Sequence, residues 1–344
     1  MSILPVVKAA AVHASPVFLD LQATVDKTCS LISEAARNGA QLIAFPESFI
    51  PAFPVWSALR APIYNHDLFC QLAENSLMVP GPEINRVCAA AREFGVIVSL
   101  GINERTDSSV GCIFNSNLLI GAEGTVLNHH RKLVPTFYEK LTWAPGDGAG
   151  LRVCDTDSGK IGMLICGENT NPLARYTMMA QGEQIHISTY PPVWPTHGPE
   201  NSGNYDLAHA IRLRAGAHSF EAKAFNVVSS GFMDKAMFEF LSGVHPDAAR
   251  ILESSPRSVS MITGPSGETI GDTLRDEEGI LYQDLDLAKC VEPKQFHDVS
   301  GGYNRFDIFK LSVDRSANRP VTFKPSSVDR GRVEMQPKNP DNEE

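Results

Sequence analysis

The stretch Gln41-Leu-Ile-Ala-Phe-Pro-Glu47 decides how the chain is built. Its compact apolar run reads as a buried strand, and Pro46-Glu47 stops it with an acid placed just beyond the strand end. Upstream, Leu21, Val25, Cys29, Ile32 and Ala36 recur at helical spacing, with Asp20 as N-cap and Asn38-Gly39 as stop signal. Residues 6–13 are a further β-type run, so the chain opens strand–helix–strand. Downstream, a Pro- and aromatic-rich loop (48–62) leads to expected helices at 66–75 and 83–94, parted by Pro80-Gly81-Pro82. Strands are expected at 96–102 and 117–120, and the turn Gly121-Ala-Glu-Gly124 leads into a strand that runs on to Lys132. Lys160-Ile-Gly-Met-Leu-Ile165 is another strand, ending at Cys166. Beyond it the pattern predicts helices at 172–181 and 207–222 and strands at 184–189, 225–230, 258–263, 268–270 and 279–287. Helices and strands alternate, and several strands are joined by hairpins. This predicts an α/β protein whose mixed sheets carry helices on their outer faces.

No repeat or linker divides the body, so residues 1–315 are expected to form one domain. The polar tail 316–344 is expected to be disordered. Among the 344 residues, 43 % are hydrophobic and 20 % charged, an ordinary globular balance. A net charge of −10 argues against a nucleic-acid or anionic-membrane surface. Apolar runs fall well short of the ~20 residues of a membrane span, and the start lacks a signal-peptide pattern. Seven scattered cysteines without a CxxC favour free thiols and a reducing, cytoplasmic setting over a disulfide framework.

Three segments share one feature: a strand runs out and a reactive residue follows at once. They are Ile43-Ala-Phe-Pro-Glu47, Leu127-Asn-His-His-Arg-Lys132 and Met163-Leu-Ile-Cys166. Strand ends lie along a common sheet edge, so the three can converge on one pocket. A thiol is only partly ionised at neutral pH and needs a base. A carboxylate such as Glu47 serves if burial raises its pKa, and a fixed ammonium such as Lys132 can hold the anion that attack creates. The residues alone leave other readings open. Cys166 could pair with His186 or His197 as a dyad, each of the three could be structural, and the fold could serve as a silent binding protein. His129-His130 lacks a third ligand at useful spacing for zinc. Glu168 reads as a structural hydrogen-bonding acid.

The segments Phe45-Pro-Glu-Ser-Phe-Ile-Pro51, His129-His-Arg-Lys-Leu-Val-Pro-Thr136, Cys166-Gly-Glu-Asn-Thr-Asn-Pro172 and Gln181-Gly-Glu-Gln-Ile-His186 go further. On them the chain resembles the nitrilase branch of the carbon–nitrogen hydrolase superfamily, to about residue 312. The resemblance implies a four-layer α-β-β-α sandwich and a Glu47, Lys132, Cys166 triad. It also implies a supporting Glu139, an oxyanion hole using the backbone N–H of Gly167, and hydrolysis of an organic nitrile without metal or cofactor. An amidase or carbamoylase of the same superfamily would carry the same triad. The resemblance further implies a homodimer or larger homo-oligomer, which bacterial members extend into spirals. Most nitrilases carry Trp where this chain has Gly167, so a reshaped pocket is expected. Trp56, Trp194 and His197 are candidates for the pocket wall. The aromatic loop tilts the expected substrate toward an arylaliphatic or aromatic nitrile. The apolar run within Phe232-Met-Asp-Lys-Ala-Met-Phe-Glu-Phe-Leu241 reads either as a helix packed on its own subunit or as an oligomer contact.

Overall fold

In the computed structural model, which describes residues 4–201 and 203–321, two six-stranded sheets lie face to face. The strands in chain order are β1 (Val6–His13), β2 (Leu42–Ala44), β3 (Ile97–Thr106), β4 (Ser109–Ile120), β5 (Val126–Arg131), β6 (Cys154–Thr156), β7 (Gly159–Ile165), β8 (Ile185–Tyr190), β9 (Phe225–Ser230), β10 (Ser260–Thr263), β11 (Thr269–Leu274) and β12 (Gly279–Asp286). The first sheet runs β12-β1-β2-β3-β4-β5 and the second β11-β10-β9-β8-β7-β6. Parallel pairs (β1–β2–β3 and β7–β8–β9) sit at the centre of each sheet and antiparallel ones toward the edges. The helices are α1 (Leu21–Arg37), α2 (His66–Glu74), α3 (Pro82–Phe94), α4 (Pro172–Met179), α5 (Leu207–Ala222), α6 (Lys235–Ser242), α7 (Ala248–Ser254) and α8 (Val291–Phe296).

The period-two alternation of strands assigns each side chain to a layer. Val7, Ala9 and Ala11 of β1, Leu42 and Ala44 of β2, and Ile161 and Met163 of β7 meet in the core between the sheets. The small alanines let the two layers close. Their neighbours Ala10, Val12 and Ile43 point the other way, against α1 and α3. In α1 the buried residues Thr24, Val25, Thr28, Ile32 and Ala35 form one stripe. The Asp20 carboxylate caps α1 by accepting the Ala23 N–H at 2.9 Å, and Gly39, at φ 85°, takes the left-handed step that ends it. On the far side Leu164 packs on Ala174 and Met178 of α4, and Val228 and Met261 pack on Leu207, Ile211 and Ala215 of α5. The result is the expected four-layer α-β-β-α sandwich.

Two expectations change. β3 and β4 are longer than the apolar pattern allowed, forming a hairpin over 97–120, because Asn103, Glu104, Asn115, Ser116 and Asn117 are buried polar residues that interrupt the signal. The apolar run at 232–241 belongs to α6, whose Met237 and Leu241 are fully buried in the chain's own core. Phe240 rests on Phe18 with ring centroids 5.1 Å apart. The apolar side of this helix therefore packs on its own subunit. The tail is described only as far as Val321, so the rest of its expected disorder lies outside the described residues.

Candidate active site

The three strand ends converge. Glu47 follows β2, Lys132 follows β5 and Cys166 follows β7. The Lys132 ammonium donates to Glu47 Oε1 at 2.7 Å and to Glu139 Oε2 at 2.6 Å, and all three side chains are buried. The Cys166 thiol and a carboxylate oxygen from each of Glu47 and Glu139 lie within 4.8 Å of one another. Glu139 sits in a short 3-10 turn (Phe137–Leu141) and also accepts the Thr136 N–H at 2.7 Å. Asn115 of β4 donates to Glu47 Oε1 at 2.7 Å, and its backbone carbonyl receives the Lys132 N–H at 2.8 Å.

The backbone is bent where these groups project. Ser48 (φ 54°), Phe137 (φ 50°) and Cys166 (φ 48°) are non-glycine residues in the left-handed region. Such positions cost about 1–3 kcal/mol each and persist where surrounding contacts hold them. Gly101 of β3 makes room for the Glu47 segment: a Cβ there would stand 2.1 Å from the Pro46 carbonyl oxygen.

Burial sets the electrostatics. It pushes the Glu47 carboxyl up to about 7 against the opposing pull of Lys132. It also pushes the Cys166 thiol well above its ordinary value, with Glu47 adding to the push and Lys132 opposing it. Burial would lower the Lys132 pKa, but Glu139 and Glu47 outweigh it and hold the ammonium charged. The resting site therefore pairs a neutral thiol with a carboxylate poised near neutrality. Around it, Glu47 Oε2, Glu139 Oε1, Tyr138 Oη, Tyr190 Oη and Trp194 Nε1 are buried without hydrogen-bond partners.

Glu168 proves to be a staple. Its carboxylate accepts the Leu133 N–H (2.6 Å) and the Ile165 N–H (2.7 Å), and His130 Nε2 lies 2.9 Å away. It thus ties the residue after the lysine to the residue before the cysteine. Burial pushes its pKa up, but His130 and those N–H groups outweigh it and keep it below the ordinary range. His129 instead pairs with Glu104 on the opposite face of β5, so the two histidines do not share a ligand.

Trp194 stacks on Tyr138 at 5.5 Å and packs against the cluster that contains Cys166, a wall position. Trp56 is 1 % exposed and packs edge-on against Phe18 in the core. His197 is exposed, with Nδ1 2.8 Å from Thr196 Oγ1. His197 thus lies at the surface, whereas Trp56 shares a buried cluster with Tyr138 and Trp194. His186 has both ring nitrogens engaged, by Glu183 and Asn169, which removes it as a base for Cys166. A Cβ on Gly167 would stand 2.9 Å from Thr136 Oγ1, so threonine occupies that space. A hollow of about 270 Å³ opens there, lined by Leu133, Val134, Thr136, Phe137 and Gly167 among others. A larger cavity, about 950 Å³, lies between α4 and the 299–315 segment, and none of the triad residues lines it.

Asn115, Tyr138, Tyr190 and Arg214 were missed in the sequence. Arg214, bonded to Thr170 at 2.7 Å and Tyr205 at 2.8 Å, favours the thiolate as Lys132 does. Glu47, Glu139 and Cys166 have the atoms of a metal site, but the Lys132 ammonium already occupies the position between the two carboxylates.

The carbon–nitrogen hydrolase family model matches residues 8–295. The fold is shared with a carbon–nitrogen hydrolase from Helicobacter pylori (TM-score 0.68, 19 % identity, 88 % of this chain and 97 % of that one). It is shared as well with Nit3 of Saccharomyces cerevisiae, a nitrilase-superfamily member (TM-score 0.66, 19 % identity, 90 % and 99 %). These place the molecule in a class, enzymes that hydrolyse carbon–nitrogen bonds. Among relatives by sequence, a nitrilase of Paraburkholderia phymatum is 34 % identical over 337 residues, covering 98 % of this chain and 95 % of that one. An arylacetonitrilase of Hypocrea virens is 35 % identical over 328 residues, covering 95 % and 97 %. The chain belongs to the carbon–nitrogen hydrolase family, in its nitrilase branch.

Gly101→Ala tests the close approach behind Glu47. The added methyl must push the Pro46-Glu47 backbone away, and displacement of a reacting group by about 1 Å costs about a hundredfold. We expect kcat to fall by that order, read by steady-state kinetics beside a thermal melt; an unchanged kcat would show that Glu47 does not depend on this approach.

Proposed function

We propose that the protein hydrolyses an organic nitrile to its carboxylic acid and ammonia, with Cys166 as nucleophile, Glu47 as general base and Lys132 as the cation that holds the anionic intermediate. The observation that carries this is the Glu47–Lys132–Glu139 chain of short hydrogen bonds beside the thiol. The thiol proton passes to Glu47 as Sγ bonds to the nitrile carbon, and the nitrile nitrogen takes up a proton to give a thioimidate. Water adds, ammonia leaves, and a thioester remains. A second water, deprotonated by Glu47, then releases the acid and restores the thiol. A carboxyl near 7 suits this role because Glu47 must both take and return protons near neutral pH. Lys132 and the Gly167 N–H bear the developing charge, Glu139 keeps the ammonium in place, and Trp194 walls the pocket. No step calls for a metal or organic cofactor.

Two considerations favour an arylaliphatic substrate: the aromatic wall of Tyr138, Trp194 and Tyr205, and relatives named arylacetonitrilases. The seven free cysteines suit a reducing, cytoplasmic setting, and no helix among the described residues is long and apolar enough to cross a membrane. Residues 1–315 form the catalytic domain in this reading, and a homodimer or larger homo-oligomer is its working form.

The test is ammonia release from a panel of nitriles and amides, with acid and amide products quantified. An arylacetonitrile should give acid and ammonia, and kcat/KM should fall as pH drops through about 7, because protonating Glu47 removes the base. Turnover of amides with none of nitriles would overturn the substrate assignment. An acid limb near 4.5, the ordinary glutamate value, would overturn the role of a buried Glu47.

A further inference from the structure

A second buried network reaches Cys166 through its backbone, and the reaction above makes no use of it. Glu183, His186 and His218 are all fully or almost fully buried, and the two imidazoles stack with centroids 3.7 Å apart. Glu183 meets both: Oε2 is 2.8 Å from His186 Nδ1, and Oε1 pairs with His218 Nε2. His186 Nε2 lies 3.0 Å from Asn169 Oδ1, which also receives the Ser188 hydroxyl at 3.1 Å. Asn169 Nδ2 in turn donates to two backbone carbonyls, Leu164 and Cys166, each at 3.2 Å.

The polarity of this chain is fixed at its Cys166 end. Two carbonyl oxygens can only accept, so the nitrogen of Asn169 must face them and its oxygen must face His186. That oxygen also only accepts, so His186 Nε2 carries a hydrogen. On the other side stands Glu183: burial pushes its carboxyl up, but His218 and His186 outweigh that and hold it ionised, at about 2. His186 is thus clamped at both ring nitrogens, by Glu183 on one side and Asn169 on the other. His218 donates through Nε2 to the same carboxylate and keeps a lone pair on Nδ1, which has no partner. Burial, joined by His186, pushes its pKa down to about 4. The three residues offer ligand atoms within 4.8 Å of one another, and the Glu183 carboxylate already spans both imidazoles.

We propose that Asn169, anchored by the buried His186–Glu183 pair, is a positioning residue that grips the Cys166 carbonyl and holds the nucleophile in its left-handed backbone conformation. The role rests on the reading of Cys166 as nucleophile. Asn169 lies in the turn that follows Cys166, so it acts back on the residue that must aim the sulfur. Glu168 holds the same turn through the Ile165 N–H, and Asn169 holds it through the carbonyls on either side of that N–H.

Two measurements test this. Asn169→Asp keeps an acceptor for His186 and Ser188 but cannot donate to Cys166. It should lower kcat by about tenfold to a hundredfold with KM little changed, and slow alkylation of Cys166 in parallel; Asn169→Ala replaces it if the aspartate fails to fold. Wild-type kcat in the folded variant overturns the positioning role alone. Turnover retained in Cys166→Ala would remove the nucleophile reading itself, and this role with it.

Discussion

Cys166→Ala should lower nitrile turnover to background, a loss of about a millionfold by analogy with removing other catalytic nucleophiles. The protein should stay folded. The thiol is neutral at rest, because burial and Glu47 both oppose its ionisation, so removing it takes no charge out of the buried triad. Alanine meets the same left-handed backbone as cysteine, and the change of one heavy atom should cost less than about 1.5 kcal/mol. Ammonia release and a thermal melt on the same preparation give both readings. Measurable turnover by the folded variant would end the assignment of Cys166 as nucleophile.

Lys132→Met is expected to act on activity and stability together. Methionine keeps much of the stem volume but leaves Glu47 and Glu139, formerly bridged at 2.7 and 2.6 Å, facing each other without a cation. Loss of the charge that holds the anionic intermediate should cost about a hundredfold to a thousandfold in kcat. Breaking a buried ion pair by removing one partner costs about 3–5 kcal/mol where the remaining charge must stay. The carboxylates can escape by binding protons. The Glu47 carboxyl, already raised by burial, then stands further above its unfolded value, so the folded state holds the extra proton and stability falls as pH rises. The melting temperature of the variant should be closer to wild type at pH 5.5 than at pH 8. Wild-type kcat in this variant would exclude Lys132 from the chemistry, and a pH-independent gap in melting temperature would show that the carboxylates are not left unpaired.

Much of this architecture was legible because the apolar strands stop abruptly. Leu42–Ala44, Val126–Arg131 and Gly159–Ile165 each run into a reactive residue, and the sandwich sets those ends side by side. What stayed hidden was polar residues inside strands. Asn103, Asn115 and Asn117 weaken an apolar pattern, so the β3–β4 hairpin was read short and the Asn115 bond to Glu47 had no signal. Glu183 and His186 lay in a motif shared with the family, but their meaning depends on His218, more than thirty positions away on α5. Trp56 stayed open for a different reason: a run of aromatic residues after a strand fits a pocket wall and a packed core equally well. Burial does not separate the two, since Glu47, Lys132 and Cys166 are buried as well.

The first sheet contributes Glu47 and Lys132, whereas the second contributes Cys166. In the proposed reaction neither layer can act alone, and the packed core is joined by Glu168, by the Ser229 hydroxyl on the Val12 carbonyl and by His13 beside Ser260 in keeping the two in register. A lateral slip of one layer would leave every ladder hydrogen bond intact while taking the sulfur out of reach of its base. Catalysis by the proposed triad would work as a gauge of interlayer alignment, sensitive to displacements too small to disturb either sheet.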